Sequence, residues 1–345
     1  MRAGIIGASG YTGAELMRIL DGHPEVEVTY ISAHSYAGER VTALYPHLHS
    51  YAGRAFQAFD VAEALAQADL CFVALPHGEA MQAVARLLEG GVKVIDLSAD
   101  HRFSDAAIYE SWYGLEHTSP QLLAEAVYGL PEINGDLIPA ARLVAVPGCY
   151  PTAAILALAP LAKAHLAGVD GAVIDAKSGV SGAGRSPSLA THFSQADESI
   201  KPYSVGVHRH TPEMEMVLSG LAGEGVGLNF TPHLAPMSRG ILATCYARVG
   251  EGVSLSEVEA VYEGFYAQAA FVVLLGSGVF PETKAVCGSN YCHIGWHLDE
   301  AKGMLTVVSA IDNLMKGASG QAVQCMNLMQ GWKEDSGLHA LGIFP

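Results

Sequence analysis

The sequence predicts an α/β protein: a doubly wound parallel sheet joined to a second, α+β domain. Three observations predict it. A short apolar strand, Arg2 to Ile6, runs straight into Gly7-Ala8-Ser9-Gly10-Tyr11-Thr12-Gly13 and a helical pattern from Ala14 to Leu20. Short apolar runs then alternate with helical patterns as far as about residue 150, which is the signature of a parallel sheet. Beyond that point the strand patterns lengthen and tight strand–helix units become rare.

The first strand–turn–helix reads as the opening unit of a Rossmann-type dinucleotide fold. Its glycines permit a tight turn and close backbone approach, so that the helix N-terminus can hold a pyrophosphate. Gly7, Ser9, Gly10, Tyr11, Thr12 and Gly13 are therefore candidate cofactor residues, although the spacing is G-x-x-G-x-x-G rather than G-x-G-x-x-G. The second strand, Val26 to Ile31, ends in Ser32-Ala33-His34-Ser35. No Asp or Glu stands there to bind a ribose 2′-hydroxyl, and a carboxylate would repel a 2′-phosphate, so the strand end leans towards NADP(H), with Ser35 as a contact.

Strands follow at Leu70 to Leu75, ending at Pro76-His77-Gly78, at Val92 to Leu97, ending at Ser98, and at Leu143 to Val146. An amphipathic helix is expected over Glu79 to Leu88. In such sheets ligands bind beyond the carboxyl ends of strands, which makes Pro76 a further cleft residue. The last of these strands delivers Pro147-Gly148-Cys149, with an apolar helix expected from about Thr152. A thiol on a strand-to-helix turn faces amide donors and the positive end of a helix dipole, which favour the reactive thiolate. A small core cysteine is the alternative reading of the same residue.

The second domain opens with a strand over Gly171 to Lys177 and a glycine–serine loop, Ser178 to Arg185. Strands are expected at Asn229 to Pro232, Gly240 to Arg248 and Met304 to Ile311, and helices at Pro212 to Leu221 and Leu255 to Gln268. The last helix, about Met315 to Gln330, reads as amphipathic, its Met and Leu stripe packing against the first domain. His208 and His210 precede a helix start, and histidine is the usual acid/base partner of a thiol nucleophile. A nucleotide cofactor beside a thiolate suggests attack on an activated acyl carbon, a thioester, and hydride reduction to an aldehyde, with phosphate as leaving group. Arg102 and Arg185 are candidate cations for substrate phosphate or carboxylate, with salt bridging as their alternative role.

Composition bounds the rest. The 345 residues suffice for two domains with ample core, 50% being hydrophobic and 16% charged. A formal net charge of −16 makes nucleic acid and anionic membranes poor partners. The sequence runs from its first residues into a strand pattern, so no signal peptide is expected, and no apolar run approaches the roughly 18 residues of a membrane span. Six scattered cysteines without a CxxC pair suggest reduced thiols in the cytoplasm. Cys287, Cys292 and His293 fit no zinc spacing, so no metal is expected.

Seven segments together resemble the N-acetyl-γ-glutamyl-phosphate reductase family: Gly7 to Leu16, Asp96 to Phe103, Tyr128 to Glu132, Pro147 to Thr152, Ser178 to Arg185, His208 to Glu213 and Asp312 to Gly320. The similarity runs in order from residue 1 to about 330. It implies NADPH-dependent reduction of N-acetyl-γ-glutamyl phosphate to N-acetylglutamate 5-semialdehyde and phosphate, in arginine biosynthesis. It implies Cys149 as nucleophile, acid/base help from His208 or His210, and Ser178, Gly179, Ser181 and Gly182 along the nicotinamide. Asn313 and Lys316 would also contact the cofactor, giving an NADP-binding domain of 1–148 plus about 313–345 and a substrate domain of 149–312. It further implies a homo-oligomer, dimer or tetramer. At Ala33-His34-Ser35 the chain departs from relatives that carry arginine. Aspartate semialdehyde dehydrogenase and a carrier-protein-dependent lysine-pathway reductase are the enzymatic alternatives; a non-catalytic NADP-sensing protein is the alternative of another class.

Overall fold

The computed structural model describes residues Met1–Phe344. The chain forms two compact units, Met1–Pro147 with Ala318–His339, and Gly148–Gly317 with 340–344.

The first unit is built on six strands: β1 (Arg2–Ile6), β2 (Glu27–Ser32), β3 (Leu70–Val73), β4 (Lys93–Asp96), β5 (Val127–Tyr128) and β6 (Leu143–Ala145). All pair in parallel, in the order β2-β1-β3-β4-β6-β5. The strand interiors are buried on both faces, which explains their continuous apolar runs. The chain steps from β1 to β2 on one side and then reverses to β3 on the other. The topological switch therefore lies between β1 and β3, where a parallel sheet opens a ligand crevice beyond its carboxyl ends. Helix α1 (Tyr11–Asp21) follows β1, and α2 (Ala80–Glu89) follows β3.

Two glycines make the first crossover possible. Gly7 has φ +84°, and a β-carbon there would lie 2.3 Å from the Ala74 carbonyl oxygen, just past β3. A β-carbon on Gly13 would lie 2.4 Å from Cα of Ala8, so helix and strand could not pack as closely.

The helix Gly320–Met329 corrects the expected amphipathic pattern. Every residue in it except Leu328 is buried. The buried Asn327 is satisfied inside the unit: its Oδ1 lies 2.9 Å from His23 Nε2, and its amide donates to the carbonyls of Glu334 and Ser336. The polar side chains thus face internal partners rather than water. The preceding turn, Met315–Ser319, is π-helical, so the expected helix is not regular throughout.

The second unit holds a seven-stranded mixed sheet: β7 (Ala167–Ser178), β8 (Lys201–Pro202), β9 (Asn229–Leu234), β10 (Ile241–Val249), β11 (Val272–Ser277), β12 (Cys292–Asp299) and β13 (Met304–Ile311). Its order is β11-β12-β13-β10-β7-β9-β8. Strands β11 and β12 were not foreseen. β11 is an edge strand of uniformly intermediate burial, and β12 carries Gly295, so neither alternates cleanly. That glycine is required, since a β-carbon would strike the Val279 carbonyl. On β7 and β10 burial does alternate, and Val173 and Tyr246, register partners on the less buried face, are 41% and 38% exposed.

The long helix α3 (Cys149–Ala164) is buried at every position from Tyr150 to Ala162. Pro160 lies inside it and has no N–H, so the carbonyl of Leu156 loses its helical donor. Helix α4 spans Thr211–Ala222, and α5 spans Leu255–Tyr266 with a Ser254/Glu257 capping box. Two tyrosines one turn apart on α5 donate to neighbouring carbonyls of α3, Tyr266 to the one that Pro160 leaves without its helical donor. The Tyr266 hydroxyl donates to Leu156 O, and the Tyr262 hydroxyl donates to Ala157 O at 2.6 Å. No helix in the described residues is long and apolar enough to cross a membrane.

Removing the Tyr266 hydroxyl strands a buried carbonyl, which costs about 1–3 kcal/mol. Tyr266→Phe is expected to lower the thermal midpoint by several degrees while Cys149 chemistry persists. An unchanged midpoint in differential scanning calorimetry would refute this account of Pro160.

Candidate active site

Within the first unit, the glycine loop is held largely through its carbonyls. The Tyr45 hydroxyl donates to Ser9 O at 2.7 Å, and the Ser319 hydroxyl donates to Thr12 O at 2.9 Å. Gly7 N and Ala8 N both donate to Ser32 O, and Gly10 N donates to Gly7 O. Gly10 caps α1 without a side chain, and the amides of Tyr11, Thr12 and Gly13 begin the helix, where no intrahelical acceptor exists. A short anionic group such as a diphosphate fits this start. Gly7 to Gly13 and the exposed Pro76 follow the neighbouring strands β1 and β3, and the exposed Ser35 lies beyond β2.

The segment after β4 is a buried polar network. The Asp96 carboxylate accepts from Ser98 N at 2.8 Å and Ser98 Oγ at 2.9 Å, and pairs with His101 Nδ1 at 2.7 Å. Burial alone would raise Asp96, but the His101 and Ser98 bonds hold it below the usual carboxylate range. Asp100 accepts from Gly78 N at 2.8 Å and from Ala80 N at 3.2 Å, so it caps the start of α2. Its burial raises it. Arg102 is buried: its Nε donates to Val146 O at 2.7 Å and Nη2 to Leu97 O at 3.1 Å. The guanidinium expected to hold substrate thus ties two strand ends together.

In the second unit, Cys149 is the first residue of α3, three positions earlier than expected. The reason is local. Gly148 takes the N-cap conformation, and Thr152 N and Oγ1 both donate to its carbonyl, at 2.9 and 3.1 Å. Pro151 at the third position needs no donor there. Because Pro151 has no N–H, the first-turn amides are those of Cys149 and Tyr150. The half-buried thiol therefore belongs to the helix N-terminus itself. Burial instead pushes the Cys71 and Cys245 thiols up to about 12.

The Gly148 amide donates at 2.8 Å to Glu213, a carboxylate with no exposed surface. Sequence reasoning did not single out Glu213: an acidic residue in a helix's first turn reads as a local cap. His210 packs on the same turn, since a β-carbon at Gly148 would lie 2.5 Å from its Nε2. His208 stands behind. Its Nδ1 accepts the His210 amide at 3.1 Å, and its ring meets those of Tyr150, Tyr203, Phe230 and His210 at centroid distances of 5.7, 5.4, 5.3 and 4.8 Å. Burial, with the charge of Arg209, lowers His208 to about 4. The Tyr150 hydroxyl donates to His233 O at 3.0 Å, and the Tyr203 hydroxyl to Tyr150 Oη at 3.3 Å. Burial pushes Tyr203 up to about 12.

The loop after β7 forms a second cluster. Asn313 Nδ2 donates to Ser181 Oγ at 2.9 Å, while its Oδ1 accepts Gly240 N at 2.8 Å. A β-carbon at Gly179 would lie 2.7 Å from Ser238 O, and one at Gly182 would lie 2.9 Å from Ser178 Oγ. Ser178, Gly179, Ser181, Gly182 and Asn313 are thus brought together. Lys316 is fully buried, its ammonium 5.8 Å from the Phe271 ring centroid. Arg185 is half-buried in this loop. Among the described residues no group of three or more His, Cys, Asp or Glu could hold a metal ion.

Residues 2–141 match the family described as "Semialdehyde dehydrogenase, NAD binding domain", and residues 149–313 match "Semialdehyde dehydrogenase, dimerisation domain". A protein of Pelotomaculum thermopropionicum named N-acetyl-gamma-glutamyl-phosphate reductase is 50% identical over 345 residues, covering 100% of this chain and 99% of its own length. One of Syntrophobacter fumaroxidans with the same name is 52% identical over 338 residues, covering 98% of each. Among solved structures, aspartate semialdehyde dehydrogenase II of Vibrio cholerae aligns over 96% of this chain and 98% of its own, with TM-score 0.72 and 18% identity. That likeness is one of fold.

Burial of a neutral His208 makes stability depend on pH. Above 6.5, its ordinary value, neither the folded nor the unfolded chain carries a proton there. Between 6.5 and about 4 the unfolded chain binds a proton that the folded chain refuses, so stability falls as pH falls. The thermal midpoint is expected to drop more between pH 7 and pH 5 in the unaltered protein than in His208→Gln; equal drops would refute the assignment.

Proposed function

Because the chain belongs to the N-acetyl-gamma-glutamyl-phosphate reductase family, we propose that it reduces N-acetyl-γ-glutamyl phosphate to N-acetylglutamate 5-semialdehyde and phosphate, a step of arginine biosynthesis, with NADPH as reductant. The observation that carries this reading is Cys149 at the first residue of a buried helix, on a turn against which the His210 ring packs.

In this reading the Cys149 thiolate attacks the acyl carbon. A carbon–sulfur bond forms, the bond to the phosphate oxygen breaks, and phosphate leaves with a thioester behind. The first-turn amides of Cys149 and Tyr150 are the donors suited to the oxyanion. Bound nicotinamide supplies the hydride that reduces the thioester. Collapse of the resulting thiohemiacetal expels the thiolate and releases the aldehyde. His210 serves as acid/base, taking the thiol proton before attack and protonating the departing phosphate. His208, held near 4, is neutral at working pH and supports His210 through its amide, a positioning role rather than proton transfer.

A nicotinamide dinucleotide fits the first unit through the glycine-capped start of α1. Preference for NADP accords with the absence of a carboxylate in Ser32-Ala33-His34-Ser35. Cofactor binding is assigned to residues 1–148 with about 313–345, and the thiol chemistry to 149–312. Ser178, Gly179, Ser181, Gly182 and Asn313 are retained as cofactor contacts. Arg102 and Arg185 are both retained as candidate substrate cations, with Arg102 also donating to two carbonyls. A homo-oligomer, dimer or tetramer, accords with the dimerisation-domain match, and a cytoplasmic location with six cysteines outside disulfides.

The test runs the reaction backwards. Phosphate-dependent NADP reduction is expected with N-acetylglutamate semialdehyde and not with aspartate semialdehyde. The opposite preference would move the chain to the other substrate with the same chemistry. Cys149→Ala is expected to lose at least about 1,000-fold in turnover, as enzymes deprived of a nucleophile do, with NADP binding retained. Near-normal activity in that variant would sink the reading.

A further inference from the structure

We propose that Gly317 is a positioning residue for the Cys149 sulfur: its missing side chain leaves the space in which the nucleophile's methylene is seated. A β-carbon on Gly317 would lie 2.8 Å from Cys149 Cβ, 3.3 Å from Cys149 Cα and 3.3 Å from Ile311 Cδ1. The first two are backbone-fixed atoms, which cannot swing aside as the end of a long side chain can. Gly317 therefore packs directly on the residue that begins α3, and its Cα bounds the methylene on that side. Restricting the methylene restricts the rotamers open to Sγ.

The surface that Gly317 presents is held firmly. It lies in the π-helical turn Met315–Ser319, a geometry frequent at functional sites. Gly317 N donates to Asp312 O at 3.0 Å. The fully buried Asp312 carboxylate anchors the chain before the turn: Oδ1 accepts Leu314 N at 2.8 Å and Met315 N at 3.1 Å. Its Oδ2 accepts Gly288 N at 2.7 Å and meets Arg239 Nη1 at 3.4 Å. With those bonds in place, the turn cannot retreat to admit a methyl group without breaking buried hydrogen bonds. The thiol would have to move instead.

The inference rests on Cys149 being the nucleophile, and the test separates the two ideas. In Gly317→Ala, kcat is expected to fall about 10- to 100-fold, the scale of a misplaced reacting group, with KM for NADP unchanged. Alkylation of Cys149 by iodoacetamide, followed across pH, is expected to slow or shift its profile, a change that a purely supportive role elsewhere would not produce. Alkylation matching the unaltered protein overturns the inference, whatever happens to kcat. Should Gly317→Ala fail to fold, a stability cycle decides. The contact requires that Cys149→Gly, which removes the opposing β-carbon, restore folding to Gly317→Ala; no restoration overturns it. An inactive Cys149→Ala beside an unaltered Gly317→Ala would sink this inference alone, whereas an active Cys149→Ala would sink the nucleophile assignment.

Discussion

A helix buried on every side must find partners for its terminal amides within the protein, and for α3 the amide of Gly148 finds the buried carboxylate of Glu213. Much of the thiol site depends on that bond. Glu213 lies in the first turn of α4, so the same contact fixes where α4 begins relative to α3. His210, one residue before α4, then packs on Gly148, and His208 backs it through a single amide bond and a shell of aromatic rings. The cost of the arrangement is a charged or polar group in an apolar interior. For Glu213 it is offset by a specific partner, the Gly148 amide.

Carboxylates taking backbone amides recur as the device that makes loops rigid. Asp100 does this at the start of α2, Glu213 at the cap of α3, and Asp312 at the turn carrying Gly317. Each uses a charged acceptor, which bonds amides more strongly than a neutral one would. The consequence for chemistry is positional. The thiol turn of the second unit is a short, irregular stretch, yet it is anchored by such a bond, from Gly148 N to the buried Glu213 carboxylate, whereas the glycine loop of the first unit is held by the hydroxyls of Tyr45 and Ser319.

The electrostatics are local rather than global. A chain of net charge −16 is a poor general attractor of phosphorylated molecules. Helix starts supply the compensation, since their amides and dipoles concentrate positive potential over a few ångströms. Cys149 and the Gly10 cap both sit at such starts. Arg102 shows the reverse case: an arginine in a suggestive motif whose guanidinium bonds carbonyls at two strand ends.

By itself the sequence determined the class of fold, the glycine-bearing first crossover and the approximate strands of the parallel sheet, and it singled out a cysteine at a strand-to-helix turn and a histidine motif before a helix without showing that the two meet. These rest on short-range properties: glycine's freedom at Gly7, apolar runs long enough for a strand, and the punctuation of Pro147 and Gly148. Tertiary structure alone decided the rest. The start of α3 at Cys149 depends on a cap conformation that Gly148 shares with many loop glycines. β11 and β12 have no clean alternation, because one lies at a sheet edge and the other must admit a close backbone at Gly295. Glu213 lies 65 residues from the amide it accepts, and Gly317 meets Cys149 only when the chain returns from the far end of the second unit. Local sequence encodes which conformations a segment tolerates. Which distant group will meet it is settled by packing, where steric fit and the need to satisfy every buried amide act over the whole fold.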